Sequence, residues 1–227
     1  LWVCPPLVVT REELDEGLAA YEEALALGRE ADVPAFTAEA LAFLGTLRAA
    51  RADSAEQGLA ELAEALAMRE AMADQLGRND THMLLGNALF AMGRPREAVR
   101  HFEANRAIAE SVGQRQEEAF AHLNLALCEL ELGDWARAAA ALESARRLAA
   151  VAGDGFLLGL SAFLESLARL HLGDMAGMER ALAEADDDPA LTPLVFMHAF
   201  PSDLADGGED LATLFAAAGV AFVDTGH

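Results

Sequence analysis

Four short stretches, Asp53-Ser54, Gly93-Arg94, Gly133-Asp134 and Gly173-Asp174, recur 40 residues apart (93−53, 133−93 and 173−133). A fixed period of this length is the mark of one supersecondary unit stacked on copies of itself, each burying its apolar face against its neighbours. Glycine at three of these turns suits the left-handed conformation that ends a helix, and Ser54, Asp134 and Asp174 stand where a side chain can cap the next one. Pro95 fits a first helical turn. Five residues past each turn position come Gly58, Ala98, Ala138 and Met178, and four residues later Leu62, Phe102, Leu142 and Leu182. A small residue followed one turn on by a large one is the pattern of two helices that cross closely. Gly17 and Tyr21 continue it 41 residues upstream, so the first helix reads as the second half of an incomplete pair. The first helices carry Gly45, Gly86, Ala126 and Ser166, three of them preceded by Leu44, Leu85 and Leu125.

Along the chain, Pro5-Pro6 breaks early structure and Thr10 with Glu13 forms a capping box, which opens a helix through Leu14, Leu18, Tyr21 and Leu25 to Ala31. A second helix is expected from about Ala38 to Ala50. Ser54 and Gln57 cap a third, which carries Leu59, Leu62, Leu66 and Met72 until Gly77 closes it. These boundaries give an N-terminal extended segment over 1–11, a helical array over 12–185, and C-terminal capping helices or a tail over 186–227. Asp186-Asp187-Asp188-Pro189 marks the last break, and one short and one longer helix are expected beyond it.

The net charge is −22, and all sixteen basic residues are arginine. Without lysine there is no Schiff base and no phosphate-loop ammonium. So acidic a chain repels nucleic acid and anionic lipid, so neither a nucleic-acid nor a membrane partner is expected. Cys4 and Cys128 are too few for a disulfide framework. The opening LWVCPPLVV lacks a basic leader and is too short to span a bilayer, which points to a cytoplasmic protein. Leu1 in place of methionine is what a processed product or a piece of a longer chain would show.

Leu125, Ala126, Gly133, Ala138, Leu142 and Ala145 together resemble the tetratricopeptide repeat, over roughly residues 12 to 185. The period of 40 exceeds the usual 34, and the terminal proline of the motif is absent. The longer form is similar to the repeats of bacterial LuxR- and SARP-type regulators. A HEAT array also has a period near 40, but the small-large pattern fits the tetratricopeptide repeat better. Residues 5–26 separately resemble the closing segment of class III pyridoxal-phosphate aminotransferases; the cofactor-binding lysine is missing, and no residue is carried over. The fold implied is all-α, a right-handed α-solenoid of tetratricopeptide-like helical hairpins.

No catalytic motif stands out. There is no G-x-S-x-G, no G-x-G-x-x-G and no calcium loop among the aspartates near the C-terminus. His82 and His122, 40 apart, fall at equivalent places on successive first helices and read as packing residues in the absence of a third ligand. Neither an enzyme nor a cofactor nor a metal site is expected. The resemblance instead implies a concave face lined from the first helices: Met83, Asn87 and Phe90; Phe120, Leu123, Leu127 and Leu130; Phe163, Leu167, Leu170 and His171. Asp80, Ala91, Glu131 and Leu160 fall at the remaining lining places.

Such a lining suits a protein or peptide partner, above all an amphipathic helix with basic flanks. The C-terminal segment, or a second copy of the chain in a homodimer, would cover it equally well. The leading expectation is a non-catalytic interaction scaffold or regulatory module. The alternatives are a ligand-sensing domain of a larger regulator and an enzyme with an apolar pocket inside the array.

Overall fold

The computed structural model describes residues 11–185, which form nine helices and no strand: α1 (Arg11–Glu30), α2 (Pro34–Ala49), α3 (Ala55–Ala71), α4 (Gln75–Ala91), α5 (Pro95–Val112), α6 (Arg115–Glu131), α7 (Trp135–Ala152), α8 (Gly155–His171) and α9 (Met175–Ala185). The helices pack in chain order as antiparallel hairpins: α2 with α3, α4 with α5, α6 with α7, and α8 with α9. α1 lies against α2, in the place that the second helix of a pair takes relative to the next first helix. This is an all-α solenoid of repeated hairpins. The expected capping box at Thr10, the N-terminal segment and the C-terminal helices lie outside the described residues.

The turns follow the expected chemistry, with corrections. Gly93, Gly113, Gly133, Gly153 and Gly173 all sit in the left-handed region, with φ between 71° and 74°. Two of these, Gly113 and Gly153, join successive pairs, so the connections between pairs use the same terminator as the turns within them. Asp32 and Ala73 stand at the earlier connections with φ of 51° and 55° and no glycine to relieve the strain. α3 therefore stops at Ala71 rather than at Gly77. Gly77 belongs to the first turn of α4, where its N–H donates to Asp74 Oδ1 at 2.9 Å. A Cβ there would lie 2.1 Å from Asp74 Oδ2, and for this reason the position is glycine.

α2 starts at Pro34, four residues before the expected Ala38, because proline at the first helical position needs no N–H partner. Asp134 caps α7 through Arg137 N and Asp174 caps α9 through Gly177 N, as the sequence suggests. Ser54 does not cap α3; its hydroxyl donates instead to the carbonyl of Arg48 at 3.1 Å.

The small-large code packs the hairpins. A Cβ built on Gly86 would meet the Phe102 ring at 2.5 Å, and one on Gly58 would meet Ala49 N at 2.4 Å. Ala98, Ala138, Leu62 and Leu142 have no exposed surface, and Phe102 is 1% exposed. The largest core cluster joins α6, α7 and α8 through Leu123, Leu142, Ala145, Leu157 and Leu164. Two polar clusters inside are paired: Asn105 Nδ2 donates to Asn79 Oδ1 at 2.8 Å, and Glu165, 2% exposed, accepts from Arg146 at 3.0 Å and from Arg169 at 2.6 Å.

Candidate interaction face

The array curves toward its first helices. α2 touches α4 and α6 touches α8, while among the described residues neighbouring second helices make no contact of that extent. The side chains that first helices turn away from their own partners therefore line the inner face.

Most of the expected lining residues are half-buried there. Met83, Asn87 and Phe90 on α4, Phe120, Leu127 and Leu130 on α6, and Leu167 and Leu170 on α8 all keep part of their surface in solvent. Two do not. Leu123 is 2% exposed and Phe163 8%, both within the core cluster that joins α6, α7 and α8. The contact between α6 and α8 draws these first helices together, and the residues between them become core. A charge at Leu123 would therefore test folding rather than binding. His171 is exposed but engaged: its ring stacks on Trp135 at 3.9 Å with planes 9° apart, at the turn end of the hairpins.

The inner face is acidic at its α4 side. Partial desolvation raises the Asp80 carboxyl above its usual range, and the carboxylates of Glu39 and Asp74 add to this against the pull of Arg69. Burial, then Asp80 itself, raises Glu117 on the next first helix. A cationic group laid beside Asp80 and Glu117 would relieve both. The periodicity placed Asp80 on this face, but Glu117 lies one turn before the expected lining positions and only the pairing with Asp80 brings it in.

His82 does not meet His122. Its Nδ1 lies 3.1 Å from Nδ1 of His101, so the imidazoles bridge α4 and α5 within one hairpin. Burial lowers the pKa of both, and of His122. Among the described residues no group of three or more histidines, cysteines or carboxylates could hold a metal ion. Burial pushes the Cys128 thiol up to about 12, which leaves it a protonated core group rather than a nucleophile.

Residues 78–150 match the tetratricopeptide-repeat family model. Over that stretch the chain is similar to tetratricopeptide repeats. No curated protein matches the sequence, but solved structures share the fold. The apo form of RapI superposes with a TM-score of 0.70 at 16% identity, over 91% of this chain and 62% of that one. BtubC from P. vanneervenii gives 0.66 at 19% identity, over 91% of this chain and 84% of that one. A protein of Pyrococcus horikoshii described as a signal-transduction ATPase with a tetratricopeptide repeat sensor gives 0.62 at 16% identity, over 90% of this chain and 34% of its own. The chain thus spans less than two thirds of RapI and about a third of the ATPase. These likenesses establish the fold. No helix among the described residues is long and apolar enough to cross a membrane.

Proposed function

We propose that this tetratricopeptide array is a non-catalytic scaffold that holds an amphipathic helix or peptide against its inner face. The observation that carries the reading is the partly buried row of Met83, Asn87 and Phe90 continuing through Leu127 and Leu130 to Leu167 and Leu170, with Asp80 and Glu117 beside its α4 end. An apolar helix face would bury against the row, and arginines or lysines flanking it would meet the two carboxylates whose pKa values partial burial raises.

The test is affinity capture from source-cell lysate with the native chain and with a Met83→Arg, Asn87→Arg variant, each first shown folded by circular dichroism. Capture by the native chain and loss by the variant is the expected result. Equal capture by both places the partner elsewhere and ends the inner-face reading.

A second reading, a ligand-sensing unit of a larger regulator, is favoured by one observation: the array aligns with part of the Pyrococcus horikoshii protein described as carrying a repeat sensor. Native mass spectrometry of the purified chain separates the two, since a sensor unit would retain a small molecule where a scaffold retains a polypeptide.

A further inference from the structure

The two ends of the hairpins differ in how they are finished. At the end formed by the turns within pairs, neighbouring hairpins close over one another, Arg94 reaching Glu56 at 3.1 Å and Trp135 stacking on His171, while Arg137 reaches Glu129 at 2.8 Å within its own hairpin. The opposite end, formed by the connections between pairs, is continuous from hairpin to hairpin. Gln75 at the start of α4 donates to Ser111 at the end of α5, and Gln116 at the start of α6 donates to Asp154 before α8. Yet this second end stays apolar. Of the ten large hydrophobic residues exposed among the described residues, six stand at it: Val33, Phe36, Met72, Leu76, Val112 and Val151, with exposures from 36% for Met72 to 77% for Val151. Single exposed apolar side chains are ordinary on any surface, but a row following one edge through four successive connections is a patch.

The charges along that edge select what can cover it. Asp32, Glu70 and Glu110 are exposed beside the row, with Asp74 and Asp154 at the helix starts. Of the arginines near it, Arg29 pairs with Glu64, Arg115 with Glu118 and Arg106 loosely with Glu110 at 3.8 Å, so the carboxylates still outnumber the charges that meet them. A second copy meeting this edge with its own would bring carboxylates against carboxylates, and an anionic bilayer would be repelled by them.

We infer that the connection edge is a second docking surface, separate from the inner face, and that its occupant is a basic, apolar polypeptide segment. Leucine-like side chains would cover Phe36, Leu76 and their neighbours while flanking arginines or lysines pair with Asp32, Glu70 and Glu110. This edge belongs to every hairpin, so a longer segment would engage more connections, and affinity would rise with its length.

The probe is a fluorescein-labelled synthetic amphipathic peptide with a leucine face and arginine flanks, compared with the same peptide carrying glutamate flanks. Fluorescence anisotropy is read with the native chain and with a Phe36→Gln, Leu76→Gln variant. Both positions are about half exposed, and circular dichroism and the melting temperature show the variant folded before binding is read. Binding of the arginine peptide weakened about tenfold or more by the variant, and no binding of the glutamate peptide, is expected. Equal binding of the two peptides, binding untouched by the edge variant, or loss through the inner-face Met83→Arg, Asn87→Arg variant instead would overturn the inference. A native dimer in analytical ultracentrifugation that the edge variant dissociates would overturn it in favour of a second copy.

Discussion

Gly86 and Phe102 show at the residue scale how one repeat differs from the next without changing the fold. In the following hairpin the equivalent pair is Ala126 and Leu142, so the small partner grows as the large one shrinks. Gly86→Leu should overpack the crossing, because even a Cβ there falls 2.5 Å from the Phe102 ring, at a cost of about 1–3 kcal/mol. Gly86→Ala alone should also destabilise, and Phe102→Leu alone should leave a void. Together they recreate the next hairpin's crossing, and the double variant should be more stable than the sum of the singles by about 1 kcal/mol or more. Urea denaturation of the four proteins measures this, and simple additivity would mean that the two residues do not share a contact. The compensation was legible in the sequence, since both positions recur every 40 residues. Leu123 was not: its position predicted a lining residue, and only the closeness of α6 and α8 made it core. Periodicity gives the direction a side chain leaves its helix, but not how near the next helix lies.

At the scale of the element, the connections carry strain that sequence reading passed over. Ala73 holds φ of 55° where Gly113 and Gly153 stand in later repeats. Neither glycine has a neighbour within 4 Å of its Cβ position, so backbone conformation and not space favours glycine there. Ala73→Gly should therefore raise stability by about 0.5–1 kcal/mol, the left-handed penalty removed less the entropy that glycine adds to the unfolded chain. A lower melting temperature would show that the strain is absent. The signal was present in the sequence as a second 40-residue series, 73, 113 and 153, hidden because its first member is alanine.

The imidazole pair between α4 and α5 gives the hairpin a pH dependence. Burial lowers the pKa of His82 first, then His101 and Arg78, with Glu70 opposing. His101 is lowered by burial and Arg100, against Glu97. Folded values below the unfolded value of about 6.5 mean that their contribution is complete above that pH and is lost as pH falls through the folded values. Asp80 and Glu117, raised in the fold, work in the opposite sense: the strain they impose at neutral pH is relieved on acidification. Comparison with a His82→Leu, His101→Leu variant isolates the histidines. Its melting temperature should fall less than that of the native chain between pH 7 and pH 5, and parallel curves would leave the pair without influence.

Across the whole molecule, hairpins stacked in chain order leave one inner face and two finished ends, and the partner must be read from these surfaces. The repeat, its turns and the all-α class followed from the 40-residue spacing because turn glycines and crossing residues are local demands. The acidity at Glu117, the His82–His101 contact and the apolar connection edge did not follow, because each depends on distances between helices far apart in sequence.

The central claim is that the first-helix face holds a polypeptide. It is tested most directly by placing a photo-crosslinking amino acid at Phe90 on the inner face, or at exposed Arg147 on α7, and irradiating each folded chain in source-cell lysate. A discrete polypeptide adduct from position 90, absent from position 147, is the predicted result. An adduct from position 147 alone, or none from either, would contradict the claim.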